Sequence, residues 1–395
     1  MTELLVLGVT PFVLLGRLNK YVSYFLFFFT GAVLISLLVT SHLSFTYLEP
    51  SFLKRPYWIT IGRYIEIISC LMLCNIVFLY FQSLKKKGEF TFYLSKFIDL
   101  NIAITVLFAF IYLLVIFNII SINDTRLVYG WDIRLRGYFV EGGPYGLMLS
   151  FIFILSSLLK DRKGIIIRRI FLFIVIVFMA QSKAGTLCCV VWLGVENFGL
   201  VKDKLKPILL PAVIVFLIGF FFLFKNISHM YIDHFDNIKV SVKERPNDPN
   251  LVLGRIPGFF IAPKIIQENP IFGIGIGNYP LIRNNKEYRG IFPLPPKKIR
   301  NLDAHGYGGI VDILVDNGVL GVLVFFSILG IIFKRIRVQN GKTVLLIGFV
   351  LLFIFGVQIH FMYPWILLGL ALTGISETNG NTLDDPSSKL KILGQ

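Results

Sequence analysis

Asn301-Leu302-Asp303-Ala304-His305-Gly306-Tyr307-Gly308 marks the point where a long polar stretch gives way to an apolar one. Behind it, from about residue 225, the chain is rich in Asn, Pro, Gly, Arg and Lys. Ahead of it, residues 309–333 form a long, mainly apolar run. Long stretches without regular structure are usually functional or disordered, and this one ends in an imidazole where a helix resumes. The junction decides the fold class: apolar crossings, interrupted once by a large polar loop.

Composition agrees. Of 395 residues, 55% are hydrophobic and 16% charged, against roughly 25% charged in a soluble domain. Mean hydropathy is +0.75. A soluble globular chain is thereby excluded, and the sequence reads as an integral membrane protein. The formal net charge of +16 would suit nucleic acid, but no basic, aromatic-interleaved soluble domain is there to carry such binding. Cys70, Cys74, Cys188 and Cys189 all lie in apolar runs, without disulfide or metal spacing. The N-terminus lacks a basic region followed by a small-residue cleavage site, so no removable signal peptide is expected.

Apolar runs able to cross a bilayer need roughly 17–25 residues. They fall near 4–16, 21–43, 58–81, 98–121, 144–159, 166–181, 184–200, 207–225, 309–333, 342–357 and 359–375. The expected fold is an all-α polytopic membrane protein with about 11 (10–12) transmembrane helices. Residues 1–224 form the N-terminal helices, 225–308 the large outer loop with short helices, 309–375 the C-terminal helices and 376–395 a cytoplasmic tail. The short connectors near 17–20, 85–87, 160–169, 201–206 and 334–337 are basic and share one side, which the positive-inside rule makes cytoplasmic. Residues 44–57, 121–143, 181–186, 225–308 and 360–364 then face out.

On the outer side, Arg134, Arg136 and Glu141 stand in the 121–143 loop. Lys183 sits in a tight turn, and Arg255, Arg283, Arg289 and Asp303 lie in the large loop before His305. A single outer cation reads as a solvated or snorkelling side chain. The group is harder to dismiss, because positive-inside bias depletes cations there. Guanidinium forks suit phosphate. His305 can titrate near neutral pH, as a general base must. Arg63 and Glu66, three residues apart on a helix, read as an ion pair or as the lining of a site. Gly273-x-Gly275-x-Gly277 lacks the βαβ context of a nucleotide site and reads as a turn where backbone approaches a helix or ligand. His229, Asp233, His234 and Asp236 have no recognised ligand spacing, so no metal or other cofactor is expected.

The order of these pieces carries a resemblance. Arg134-Leu135-Arg136-Gly137 is followed by Ser182-Lys183, then by a long outer loop. The loop holds Arg255, a Pro-x-x-Gly-x-Gly at 270–275 and His305, before Asp312-Ile313-Leu314-Val315-Asp316-Asn317-Gly318-Val319-Leu320-Gly321. Over residues 120–375 this resembles the bacterial O-antigen ligase/polymerase family, with a GT-C type glycosyltransferase architecture. The resemblance implies a multi-pass enzyme of the bacterial inner membrane acting at the periplasmic face on undecaprenyl-diphosphate-linked glycans. The implied partners are that donor and acceptor, the bilayer, a chain-length regulator and a flippase.

It further implies that Arg255 binds the donor diphosphate with Lys183 and one or both of Arg134 and Arg136, and that His305 activates the acceptor hydroxyl. Glu141, Arg63, Arg283, Arg289 and Asp303 are further substrate-binding candidates. Lys183 stands where the family more often has arginine, and Gly306 where it often has asparagine. A polymerase, joining lipid-linked repeats, is the favoured expectation over a ligase that transfers glycan to lipid A core. A flippase for the same lipids, or a peptidoglycan-type polymerase, would be a different machine.

Overall fold

The computed structural model describes residues 18–43, 55–129, 133–139, 141–159, 162–197, 255–290, 308–337 and 343–373, with single positions at 240, 244, 292, 294 and 296. Four described helices are long and apolar enough to cross a membrane: α1 (Lys20–Thr40), α2 (Pro56–Lys86), α3 (Phe90–Ile116) and α10 (Gly309–Arg337). Local chemistry sets their ends. The Asn19 side chain accepts from the Tyr21 N–H at 2.9 Å and caps α1. α2 opens on Pro56, at a position where a missing N–H costs nothing, and ends with Lys85 and Lys86 at the negative pole of its dipole.

The other apolar runs fold differently from expectation. α4 (Gly142–Leu155), α11 (Thr343–Ile354) and α12 (Met362–Leu372) are shorter apolar helices. The run at 166–181 becomes α5 (Arg162–Ile174) and a π-turn over Val175–Met179, and the next becomes α6 (Lys183–Glu196). A 14-residue helix is roughly 21 Å long, short of a ~30 Å hydrocarbon core. The described residues therefore do not reach eleven crossings, and the runs near 4–16 and 207–225 lie outside them. The physical reason is burial. Leu149, Phe151, Ile152, Phe153, Ile154 and Leu155 are almost inaccessible, and so are Leu367, Leu368, Leu370 and Ala371. A helix that is apolar all round can be a bundle core as readily as a lipid-facing crossing.

α12 packs against α2, α11 and α4; α1 joins α2 to α10; and α4 packs closely against α6. Phe25, Phe29, Phe349, Phe353 and Trp365 form an aromatic centre, with the Phe349 and Trp365 rings 5.3 Å apart and perpendicular within about 20°. The Trp365 indole N–H donates to the Ile359 carbonyl at 2.8 Å. Strand structure among the described residues is a single ladder in the 121–143 loop, β1 (Val128–Tyr129) against β2 (Arg134–Leu135), a small departure from an all-α chain. Among its described residues, the 225–308 stretch carries short helices: α7 (Arg255–Glu268), α8 (Tyr279–Ile282) and α9 (Lys286–Arg289).

Candidate functional site

The site is built around a broken helix. α10 loses helical geometry at Gly318, where φ is 63° and ψ is −168°. A break frees backbone groups that must find partners inside a membrane protein. The segment at 270–275 supplies them. Ile274 N–H donates to the Val315 carbonyl at 3.0 Å and Gly275 N–H to the Asp316 carbonyl at 2.8 Å. On the far side of the break, Val319 N–H donates to Pro270 at 2.8 Å and Leu320 N–H to Ile271 at 3.2 Å. Two motifs some 45 residues apart in sequence thus dock backbone to backbone.

The loop then runs between α1 and α2. Ile276 N–H donates to Ser36 Oγ at 2.8 Å, Thr60 Oγ1 to the Ile276 carbonyl at 3.0 Å, and Asn278 Nδ2 to Thr40 Oγ1 at 2.7 Å. These hydroxyls stand in apolar helices and also bond the carbonyl four residues back, Ser36 to Ala32, Thr40 to Ser36 and Thr60 to Pro56.

Where loop, α2 and α10 meet, a polar cavity of about 30 Å³ opens, roughly the space of a single water. Arg63, Tyr279, Asp312, Asp316 and His360 line it, with Ile67, Ile276, Gly277, Pro280 and Ile359. Arg63 pairs with Glu66 at 2.7 Å and lines the cavity together with Gly277 and Asp316. Asp312 Oδ1 accepts from the Gly308 N–H at 2.8 Å. The Cys70 thiol donates to the His360 carbonyl at 3.1 Å, holding the 359–361 turn against α2. Burial pushes the Tyr279 phenol up to about 12, partly offset by the Arg283 cation, so this ring is a neutral hydroxyl at neutral pH. The cavity thus joins a cation, two carboxylates, an imidazole and a phenol.

The 121–143 loop and the Lys183 turn meet nearby. Ser182 caps α6 by accepting from the Gly185 N–H at 3.1 Å and donates to the Gly143 carbonyl at 2.9 Å. A Cβ at Gly146 would strike the Ser182 side chain, so glycine there lets α4 and α6 touch. Phe139 lies 6.4 Å from the Phe361 ring and 6.5 Å from Tyr363, which brings the same loop to the turn that carries His360. Residues 169–326 match the sequence pattern of a family described as O-antigen ligase. This match supports a place in the O-antigen ligase/polymerase family. No curated protein matches it.

The match suggests a ligase- or polymerase-like role in lipopolysaccharide synthesis, and the apolar helices suggest a multi-pass membrane protein. The matched segment runs from α5 to the middle of α10 and includes Lys183, Arg255 and His305, but not Arg63, Arg134, Arg136 or Glu141. Lys183 is exposed at the start of α6. Arg134 pairs across the ladder with Tyr129, and Arg136 Nε donates to the Arg126 carbonyl at 2.7 Å. Glu141 stands at the N-terminus of α4, next to the Lys183 turn.

Arg255 opens α7, and its side chain lies outside the described residues, as do Asp303 and His305. Arg283 and Arg289 are 1% and 2% exposed, inside the loop beside a cluster of Ile261, Ile265, Ile274, Tyr279 and Tyr288. α7 packs that cluster against α9 and α10. Asp312, Asp316 and His360 were not among the sequence candidates. The available signal was two carboxylates four residues apart in an apolar run, a costly placement that marks a site.

Proposed function

We propose that this chain is an O-antigen polymerase, an inverting glycosyltransferase that joins undecaprenyl-diphosphate-linked oligosaccharide repeats at the periplasmic face of the inner membrane. The observation that carries the reading is the docking of 270–275 onto the break in α10. Arg255 opens the helix leading into that docked segment, and Gly308, three residues after His305, is held by Asp312 on the same helix. The two residues proposed for chemistry therefore flank one structural unit.

In this reading the acceptor hydroxyl oxygen attacks the anomeric carbon of the growing glycan. The anomeric C–O bond to the lipid diphosphate breaks, and the diphosphate leaves with the bonding pair. His305 takes the hydroxyl proton, and attack opposite the leaving group inverts the centre. Arg255, Lys183 and an arginine of the 134–136 segment neutralise the charge that develops on the diphosphate. Glu141 and Arg63 lie on segments that border the same region and are proposed to contact the glycan.

A transporter of the same lipids is the reading that a broken helix would favour, since discontinuous helices commonly form transport sites. Here the backbone groups at the break are already bonded to 270–275, so they do not offer themselves to a cargo. The deciding experiment is lipopolysaccharide electrophoresis of a deletion strain, with complementation by the wild-type gene as the control. Core carrying a single repeat supports a polymerase. Complete loss of O-antigen on core points to a ligase, and accumulation of lipid-linked repeats on the cytoplasmic leaflet points to a transporter.

A further inference from the structure

The polar cavity is too small for a sugar or a phosphate. Its volume of about 30 Å³ is close to the space of one water. What it offers instead is a set of proton-exchanging groups around that space. The Arg63 guanidinium pairs with Glu66 at 2.7 Å. Asp312 accepts from the Gly308 N–H. Tyr279 keeps its proton, since burial pushes its phenol up to about 12. Asp316, one helical turn beyond Asp312, and His360 complete the polar lining. An imidazole both takes and gives a proton near neutral pH, and ionisable groups at membrane depth commonly mark proton paths.

The cavity is joined to the segment that carries His305. Gly308 and Gly309 seat on the end of α11: a Cβ at the first would strike the Gly356 carbonyl, and a Cβ at the second the Phe353 carbonyl. His360 follows Gly356 by four residues. His305 precedes Gly308 by three residues, a reach of at most about 10 Å of chain. The turn that carries His360 is pinned from two sides, by the Cys70 thiol on the His360 carbonyl at 3.1 Å and by the Trp365 indole N–H on the Ile359 carbonyl at 2.8 Å. His360 is half-buried, so it borders the cavity without being sealed from the protein surface.

We propose that Asp316 and His360, bridged by a water in the cavity, form a relay that takes up the proton His305 removes from the acceptor hydroxyl and passes it to solvent. This rests on the reading of the chain as a glycosyltransferase with His305 as its base. The hydroxyl proton moves to His305 as the new C–O bond forms and the diphosphate leaves with the old bonding pair. His305 then gives a proton to the chain of water, Asp316 and His360, and His360 releases one at the surface. Every group ends as it began, and His305 is ready for the next acceptor. Neither relay residue touches substrate; both act through His305.

The test uses the full-length protein in lipid nanodiscs, with the lipid-linked repeat as donor and acceptor, and steady-state kinetics in H2O and in D2O. His360→Gln keeps a polar side chain of similar size that cannot carry the proton, and Asp316→Asn does the same for the carboxylate. Each is expected to lower kcat roughly tenfold or more, to leave KM within about twofold, and to raise the solvent deuterium isotope effect on kcat. His360→Ala is expected to lose as much and to regain rate when imidazole is added to the buffer. Wild-type kcat in both His360→Gln and Asp316→Asn overturns the relay. So does a loss that imidazole leaves untouched and that comes with an unchanged isotope effect, because that marks a structural role for the turn. If the wild-type protein itself transfers no glycan, the polymerase reading falls, and the relay with it.

Discussion

Gly273 and Gly318 face each other across the docked segment, and neither position has room for a side chain. Both have positive φ, 67° and 63°. A Cβ on Gly318 would strike the Ile271 carbonyl and come within 2.7 Å of the Gly273 nitrogen; a Cβ on Gly273 would lie 2.5 Å from the backbone of Asp316. These contacts let a polar loop satisfy a broken membrane helix, with backbone approaching backbone at a distance only glycine allows.

Gly318→Ala is therefore expected to destabilise the protein by about 2–4 kcal/mol, combining left-handed strain with a backbone clash. Thermal unfolding in detergent measures this. A midpoint within 2 °C of wild type, in the same detergent, would show that the docked segment does not depend on that contact.

Asp312→Ala removes the acceptor for the Gly308 N–H, which holds the end of the chain segment that carries His305. The expected effect is a roughly tenfold fall in kcat with little change in KM, since geometry at the reacting centre suffers more than donor binding. Asp312→Asn keeps a carbonyl acceptor and should recover most of the loss. Equal damage from the two substitutions would show that charge in the cavity, and not the hydrogen bond, is what matters.

Arg63 and Glu66 should not be equivalent. Glu66 is about one-third exposed and pairs with Arg63, so Glu66→Gln should cost about 1 kcal/mol or less. Arg63→Gln also removes the guanidinium that lines the enclosed cavity with Asp312 and Asp316, and should cost at least twice as much. A double-mutant cycle on unfolding midpoints separates the two terms. Equal losses from the single variants would mean that Arg63 serves Glu66 alone.

His305→Ala should lower the rate by roughly 10²–10⁴, the usual worth of a general base, with the protein still inserted at the wild-type level. Arg255→Ala should raise KM for the lipid-linked donor, and Lys183→Arg should be tolerated, because a guanidinium donates to phosphate at least as well as an ammonium. Normal O-antigen chains from both His305→Ala and Arg255→Ala strains would remove these residues from the mechanism.

The sequence was read well wherever the physics is local. A 21-residue apolar run from Lys20 to Thr40 cannot be satisfied in water or as an open strand in lipid, so it is a helix whatever surrounds it. The Arg63–Glu66 pair was legible because three residues on a helix bring two side chains to one face. The glycines at 273, 275 and 277 announced a close backbone approach, though not what would be approached. The apolar runs at 144–159, 184–200, 342–357 and 359–375 form helices shorter than the runs themselves, because hydropathy is the same for a side chain against lipid and one against Phe or Trp.

Membrane residence, the helical class and the resemblance to the family follow from the order of apolar runs and short motifs along the chain. These properties are sums over neighbouring residues, so sequence alone determines them. Which helix breaks, and what satisfies the break, depends on segments that sequence holds some 45 residues apart. Only the tertiary structure brings Pro270 to Val319, Gly277 to Asp316 and His360 to Arg63. A freed backbone group or buried carboxylate is stable only once its partner is in place, and the partner is a property of the fold.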